Sequence, residues 1–120
     1  SPFKNIDMVC TNPDLIVDRG EVREYCAGSI AKVFEKIGGN VKYFGKPYPL
    51  VYQKSSNPKN KKVLCIGDNL NTDIKGANIQ NFNSLFILNG IHKSENKNKL
   101  SKLFENYQVN VDYILDELKW

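Results

Sequence analysis

The sequence contains few of the residues that mark zinc clusters, disulfide frameworks or redox centres. It has three cysteines and one histidine in 120 residues. Cys10, Cys26 and Cys65 are widely spaced and form no Cys-x-x-Cys pair, so the zinc-binding pattern is missing. The number of cysteines is odd and two of them lie in apolar runs. This favours small core residues in a reducing compartment.

Long hydrophobic runs and a strong charge of one sign are also missing. No apolar segment approaches the roughly 20 residues of a membrane span, and no apolar signal segment opens the chain, so we expect a cytoplasmic protein with no membrane partner. A formal net charge of +4 is compatible with anionic ligands but does not establish nucleic-acid binding. The length fits one domain with a modest core. Because the first residue is Ser1 and not Met, we expect a piece of a longer protein.

The most informative stretch is residues 61–77, where an apolar run of strand length ends in two nearby carboxylates. Asp68 follows Gly67 at the end of the run, and Asp73 lies five residues later, beside Thr72, which is predicted to cap a helix. Side chains at the carboxyl ends of parallel strands point into the crevice where such folds bind ligands. Oxygen donors of this kind suit Mg²⁺, which typically takes one or two protein carboxylates.

A second strand-like run, residues 41–44, ends in a similar way. Gly45 and Lys46 follow it, and a proline then opens a short helix predicted to reach residue 54. If the two strands are parallel, Lys46 emerges on the same edge as the carboxylates, where an ammonium can neutralise a bound phosphate. Each feature alone has a simple alternative, a turn or cap for an Asp and a solvated surface for a Lys. Two strands that both end in Gly and a charged residue favour the functional interpretation.

The rest of the chain alternates between strand and helix patterns. Strands are predicted at 6–11, 84–88 and 109–115, the last with one buried face, and residues 15–24 are predicted as a loop. Helices are predicted around residues 30–37, ending at a Gly-Gly pair, and around residues 100–107. This alternation predicts an α/β fold, with a parallel Rossmann-like sheet of about four to five strands and helices on both faces. His92 is predicted to lie on the surface, and Trp120 to pack on the sheet or fray.

Several short motifs together resemble one enzyme family. They are Thr11-Asn12-Pro13-Asp14, Ala27-Gly28-Ser29-Ile30, Gly45-Lys46-Pro47-Tyr48-Pro49 and Gly67-Asp68 continuing through Thr72-Asp73-Ile74-Lys75-Gly76-Ala77. In this order and spacing they are similar to the haloacid dehalogenase (HAD) superfamily of Mg²⁺-dependent phosphohydrolases. The resemblance is to the class IIA branch, related to nitrophenylphosphatases and sugar-phosphate phosphatases.

The resemblance implies a role for each candidate site residue. Lys46 would steady an aspartyl nucleophile and the transferring phosphoryl group, while Asp68 and Asp73 would bind Mg²⁺ directly or through water. Asn69 and Asn12 would lie on the substrate side of the site. A simple turn is an equal alternative for Asn12. The substrate would be a small phosphorylated metabolite.

The chain departs from the family pattern in one respect. The family begins with a strand that ends in Asp-x-Asp, which supplies the nucleophile, and no Asp-x-Asp occurs in these 120 residues. We therefore expect the carboxyl-terminal half of such an enzyme, with residues 1–24 as the return from a missing cap and residues 25–120 as half of the core. The missing amino-terminal half would be its partner, and the piece alone would be inactive.

Two other classes of function remain open. One is a non-catalytic basic α/β module that binds nucleic acid or an acidic protein through residues 59–62 and 93–102. Nucleic acid is the less favoured ligand because no aromatic residues interleave these lysines as a stacking platform. The other is a flavodoxin-like or receiver-like domain. Receiver-type sites have an early acidic pair and a late lysine, whereas Lys46 here precedes both carboxylates.

Overall fold

The computed structural model describes residues 2–55, 62–95 and 99–119. The strands are β1 (Asp7–Cys10), β2 (Ile16–Arg19), β3 (Val22–Tyr25), β4 (Asn40–Tyr43), β5 (Leu64–Gly67), β6 (Asn83–Ile87) and β7 (Tyr113–Leu115). The helices are α1 (Ala27–Lys36), α2 (Pro49–Ser55), α3 (Lys75–Gln80) and α4 (Leu100–Tyr107). A π-helical turn, Leu70–Ile74, leads directly into α3.

The parallel strands confirm the α/β class, but they belong to two sheets. β1 pairs with β4, and β5, β6 and β7 form a second sheet in that order, with every pair in both sheets parallel. A single sheet of four to five strands was predicted because strands and helices alternate along the chain. Alternation indicates the direction of the strands, but it does not say which strands are hydrogen-bonded neighbours.

The predicted loop at residues 15–24 is instead a β-hairpin, so that prediction is wrong. β2 and β3 are antiparallel and are joined by a two-residue turn in which Gly20 has φ +63°. A turn that requires a left-handed backbone favours glycine at this position. Asp18 lies opposite Arg23, which donates two hydrogen bonds to its carboxylate, at 2.7 and 2.9 Å. The strands are short and mostly exposed, so they have no clear period-2 apolar pattern.

The helix predicted around residues 30–37 is α1, although its apolar positions are not the buried ones. Ile30 and Val33 are 64% and 59% exposed, whereas Ala31 is completely buried. Gly28 makes the close contact on the inner side, because a Cβ there would overlap the backbone of Pro13. Small residues therefore face the neighbouring elements, Ile30 and Val33 face outward, and Phe34 is partly buried against Phe3.

The main core lies between the three-stranded sheet, the π-helical turn and α4. Its buried members are Leu70, Ile74, Phe86, Leu103 and Val109. The predicted helix at 100–107 and strand at 84–88 are both present, within one residue at each end.

The last predicted strand is only partly present. β7 covers three residues, and all three side chains are between 43% and 57% exposed, so the predicted buried face is wrong. Val109 is buried, but it lies before the strand. Trp120 lies outside the described residues. Within the described ranges, no helix is both long and apolar enough to cross a membrane.

Candidate functional site

The position of Lys46 is set by the sharp turn that follows β4. Gly45 has φ +93°, a conformation that L side chains rarely adopt, and a Cβ there would lie 2.9 Å from the carbonyl oxygen of Thr11. The Tyr48 amide then donates to the Gly45 carbonyl at 2.8 Å and closes the turn. Lys46 is therefore held by the backbone at the end of β4.

Asp68 and Asp73 lie at the end of β5 and inside the turn that follows it. Asp68 is the first residue after the strand, and Asp73 lies within the single π-helical turn, one residue before its end. Asn69 is the cap of this turn, since its side-chain oxygen accepts a hydrogen bond from the Asn71 amide at 2.9 Å. The prediction that Thr72 is the cap is wrong, because the π-helical turn starts the helix earlier and buries Thr72.

The side chains of Lys46 and Asp73 meet in an ion pair, although the two residues are 27 positions apart along the chain. The Asp73 side chain is only 9% exposed, whereas that of Lys46 is 46% exposed. The Asn69 amide donates to the second carboxylate oxygen of Asp73 at 3.1 Å. Gly67 permits this arrangement, because a Cβ at that position would overlap the Asp73 carboxylate.

These residues line an open cleft of about 470 Å³. The residues at its lining include Lys46, Asp68, Asn69 and Asp73. Residues 89–91, from the segment after β6, and Asp14 and Asp18, from the hairpin region, also line it. The cleft thus brings two lysines, Lys46 and Lys93, together with several carboxylates at a surface that a small ligand can reach.

Electrostatic interactions keep Lys46 protonated. Burial alone lowers the pKa of its ammonium group. The hydrogen bond and charge of Asp73, with the charges of Asp14 and Asp68, outweigh burial and raise the pKa above its ordinary value. Lys46 therefore carries a fixed positive charge at neutral pH.

The donor set of the cleft is compatible with Mg²⁺ but does not complete its shell. One oxygen of Asp68 accepts a hydrogen bond from the Ile91 amide at 2.8 Å, and the other has no hydrogen bond from any described residue. Both oxygens of Asp73 already have partners. Within the described ranges, no group of three His, Cys, Asp or Glu residues could hold a metal ion. Mg²⁺ commonly binds through one or two carboxylates and completes its shell with water and phosphate, so two carboxylates fit it.

The two predicted substrate-side asparagines are mainly engaged with their own backbone. Asn12 is exposed, and its side-chain oxygen accepts a hydrogen bond from the Asp14 amide at 3.2 Å, as in an Asx turn. It is not among the residues that line the cleft, whereas Asp14 is. Asn69 lines the cleft, but its side-chain oxygen caps the π-helical turn. A substrate contact by either residue stays a prediction.

The prediction that His92 lies on the surface is wrong. The residue is 5% exposed, and its Nε2 accepts a hydrogen bond from the Leu70 amide at 3.1 Å. A single histidine in a polar segment carries no signal of burial, because its partners come from other elements. Of the basic segments considered for nucleic-acid binding, residues 59–61 and 96–98 lie outside the described residues.

Comparisons with known proteins match this chain to hydrolases. The family model described as HAD-hydrolase-like matches residues 43–120. The chain is 29% identical to a cardiolipin synthase (CMP-forming)/mitochondrial hydrolase fusion protein of Schizosaccharomyces pombe, and the match covers 82% of this chain and 19% of that protein.

Solved structures give the same result. A haloacid dehalogenase-like hydrolase from Brucella suis superposes with a TM-score of 0.76 at 27% identity, covering 96% of this chain and 45% of that one. A glycerol phosphate phosphatase from Mycobacterium tuberculosis, solved with magnesium, superposes with a TM-score of 0.56 at 28% identity, covering 69% of this chain and 26% of that one. The chain thus spans less than half the length of the relatives it matches.

Proposed function

The chain belongs to the HAD-like hydrolase family, and from that premise we propose that it supplies the lysine and the metal-binding carboxylates of a magnesium-dependent phosphohydrolase. The observation that carries the proposal is the pairing of Lys46 with Asp73 in a cleft that Asp68 also lines. Neither the flavodoxin-like nor the receiver-like alternative is supported by the family match. Solved structures of the Mycobacterium tuberculosis phosphatase with magnesium and with calcium support a divalent cation.

The chemistry follows from the charges in the cleft. Lys46 binds and orients the transferring phosphoryl group and offsets the negative charge on its equatorial oxygens. Asp68 and Asp73 would hold the Mg²⁺, which when bound polarises the phosphoryl oxygens as a Lewis acid. Asp73 also holds the Lys46 ammonium in place through their ion pair. The substrate would be a small phosphorylated metabolite that fits the open cleft.

The nucleophile would come from a part of the protein outside this sequence. No Asp-x-Asp is present, so the aspartyl-phosphate of the complete reaction would form on the amino-terminal half. The exposure of β5 supports a covering partner of this kind: Leu64 and Ile66 are 48% and 49% exposed, although strands of parallel sheets are normally covered on both faces. In this proposal residues 1–24 lead back from the cap and residues 25–120 form half of the core.

A cytoplasmic location is part of the same proposal. All three cysteines are free thiols, as expected in a reducing compartment. The alternative function, a basic module that binds nucleic acid, predicts salt-dependent binding to a generic oligonucleotide. We expect little binding.

The experiment is a phosphatase assay with p-nitrophenyl phosphate and Mg²⁺, followed by a panel of sugar and nucleotide phosphates. We expect the piece alone to be inactive and the piece combined with its amino-terminal half to be active. Lys46→Met should lower kcat by about 10²- to 10³-fold, as removal of one electrostatic stabiliser does. Lys42→Met is the matched control, because Lys42 lies on β4, just before the turn that carries Lys46, but pairs with the exposed Asp7. A properly folded combination that hydrolyses none of these substrates would contradict the proposal.

A further inference from the structure

The segment after β6 and the turn after β5 are joined by two hydrogen bonds that run in opposite directions. The Ile91 amide donates to the Asp68 carboxylate at 2.8 Å. The Leu70 amide donates to His92 Nε2 at 3.1 Å. Gly90 allows this close approach, because a Cβ there would overlap the Asp68 side chain. Residues 89–92 therefore hold both the carboxylate of Asp68 and the first residue of the turn that carries Asp73.

The hydrogen bonds of His92 fix its tautomer. Since Nε2 accepts the Leu70 amide, it carries no proton, and Nδ1 must donate to Glu95, 2.8 Å away. The Tyr107 hydroxyl donates to the same carboxylate at 3.1 Å, and its ring meets the imidazole edge to face at 4.8 Å. The imidazole ring of His92 is thus buried, and contacts on two sides orient it so that the lone pair of Nε2 points at the Leu70 amide.

The peptide before His92 is also held from the hairpin. Arg23 of β3 donates to the carbonyl oxygen of Ile91 at 3.0 Å while it pairs with Asp18. The N–H of Ile91 is bound by Asp68 and its C=O by Arg23, so both polar groups of this residue have partners. Ile91 is only 8% exposed, so little water competes for these bonds.

We propose that His92 is a positioning residue for the site: by accepting the Leu70 amide, it fixes the 89–92 segment against the turn and orients the Asp68 carboxylate. One oxygen of Asp68 is held by Ile91, and the other is left for a cation in the cleft. His92 is not among the residues that line the cleft, and it acts through Leu70 and Ile91. The inference rests on the proposed function for its catalytic consequence, but the hydrogen bonds themselves can be tested without turnover.

The test compares three variants of the parent protein. His92→Gln can place a neutral acceptor near the position of Nε2, whereas His92→Leu fills the space without an acceptor. Tyr107→Phe is the matched control, since it removes a hydroxyl bound to Glu95 and leaves the bond to Leu70 in place. Amide hydrogen exchange at Leu70 and Ile91 is measured without metal, and the Mg²⁺ concentration for half-maximal activity is measured separately.

We expect His92→Leu to speed exchange at the Leu70 amide about tenfold, the equivalent of one lost hydrogen bond, while amides in β6 exchange as before. The half-saturating Mg²⁺ concentration should rise by roughly 10-fold or more, as for other outer-shell changes at metal sites. His92→Gln and Tyr107→Phe should stay close to the wild type in both. The proposal would be overturned if His92→Gln and His92→Leu changed the exchange rate and the half-saturating Mg²⁺ concentration equally. It would also be overturned if His92→Leu left exchange at the Leu70 amide unchanged.

A measurement on the wild-type protein keeps the proposal testable if the Leu variant does not fold. Nitrogen-15 NMR of the His92 ring should show a proton on Nδ1 and none on Nε2, and a proton on Nε2 would overturn the proposal. The result is also independent of the proposed function. If the wild type hydrolyses no phosphate ester, the proposed function fails while the exchange result stands. If the wild type hydrolyses a phosphate ester and His92→Leu has the same half-saturating Mg²⁺ concentration as the wild type, the inference about His92 fails while the proposed function stands.

Discussion

The ion pair between Lys46 and Asp73 predicts a measurable loss of stability when either partner is removed. Breaking a fully buried pair costs about 3–5 kcal/mol, because the remaining charge is left without a partner. Asp73 is almost buried, but Lys46 is 46% exposed, so solvent screens part of this interaction. The Asn69 amide also keeps one carboxylate oxygen satisfied. We therefore expect Lys46→Met to lower the free energy of unfolding by about 1–2 kcal/mol.

A double-mutant cycle with Lys46→Met and Asp73→Asn isolates this interaction. Urea unfolding is followed by circular dichroism in the presence of a chelator, so that no divalent cation replaces the lysine charge. The coupling free energy between the two changes should be about 1–2 kcal/mol. The exposed pair Lys32 and Glu35, 3.1 Å apart on α1, is the matched control and should show a clearly smaller coupling. Equal coupling in both cycles would refute the reasoning, since the site pair would then behave like an ordinary surface pair.

Three further predictions concern packing and ionisation. Gly67→Ala should lower the free energy of unfolding by about 1–3 kcal/mol in urea titrations, because its Cβ would overlap the Asp73 carboxylate. Phe86→Ala should cost about 3–5 kcal/mol in the same assay, because Phe86 is completely buried in the core. The exposed Ile79→Ala is its control, and equal losses would contradict the assigned core. Burial raises the pKa of Tyr52 to about 12, so its neutral form stabilises the fold fully below pH 10.0, and this contribution is lost as the pH rises through 12. The ultraviolet absorbance that titrates near pH 12 should therefore fall by the amplitude of one tyrosine in Tyr52→Phe, and an unchanged amplitude there would refute the assignment.

Part of the candidate site could be predicted from a local pattern, because Lys46 and Asp68 each follow a glycine after a strand-like run, and Asp73 lies five residues beyond Asp68. The structure places Lys46, Asp68 and Asp73 in one cleft, although β4 and β5 belong to different sheets. The three residues do meet, but the prediction that they meet because they lie at the edge of one sheet is wrong. Gly45 turns the chain out of β4, and Gly67 leaves room for the Asp73 carboxylate, so the glycines allow the contact.

The features that sequence analysis missed depend on contacts between distant segments. His92 is buried because Leu70 and Tyr107, 22 and 15 positions away, provide its partners. The hairpin is held by the pair between Asp18 and Arg23, and its short exposed strands have no apolar period. The division of the parallel strands into two sheets is likewise set by tertiary contacts. The alternation of strands and helices along the chain does not predict it.

Magnesium binding by the parent protein tests the assignment of the two carboxylates most directly. Titration calorimetry without substrate compares the wild type with Asp68→Asn, Asp73→Asn and the control Asp116→Asn, whose side chain lies on the exposed segment after β7. We expect the wild type and the control to bind one Mg²⁺, and both site variants to bind it more weakly by roughly 10-fold or more. Equal Mg²⁺ affinity in all four proteins would contradict a metal site formed by Asp68 and Asp73.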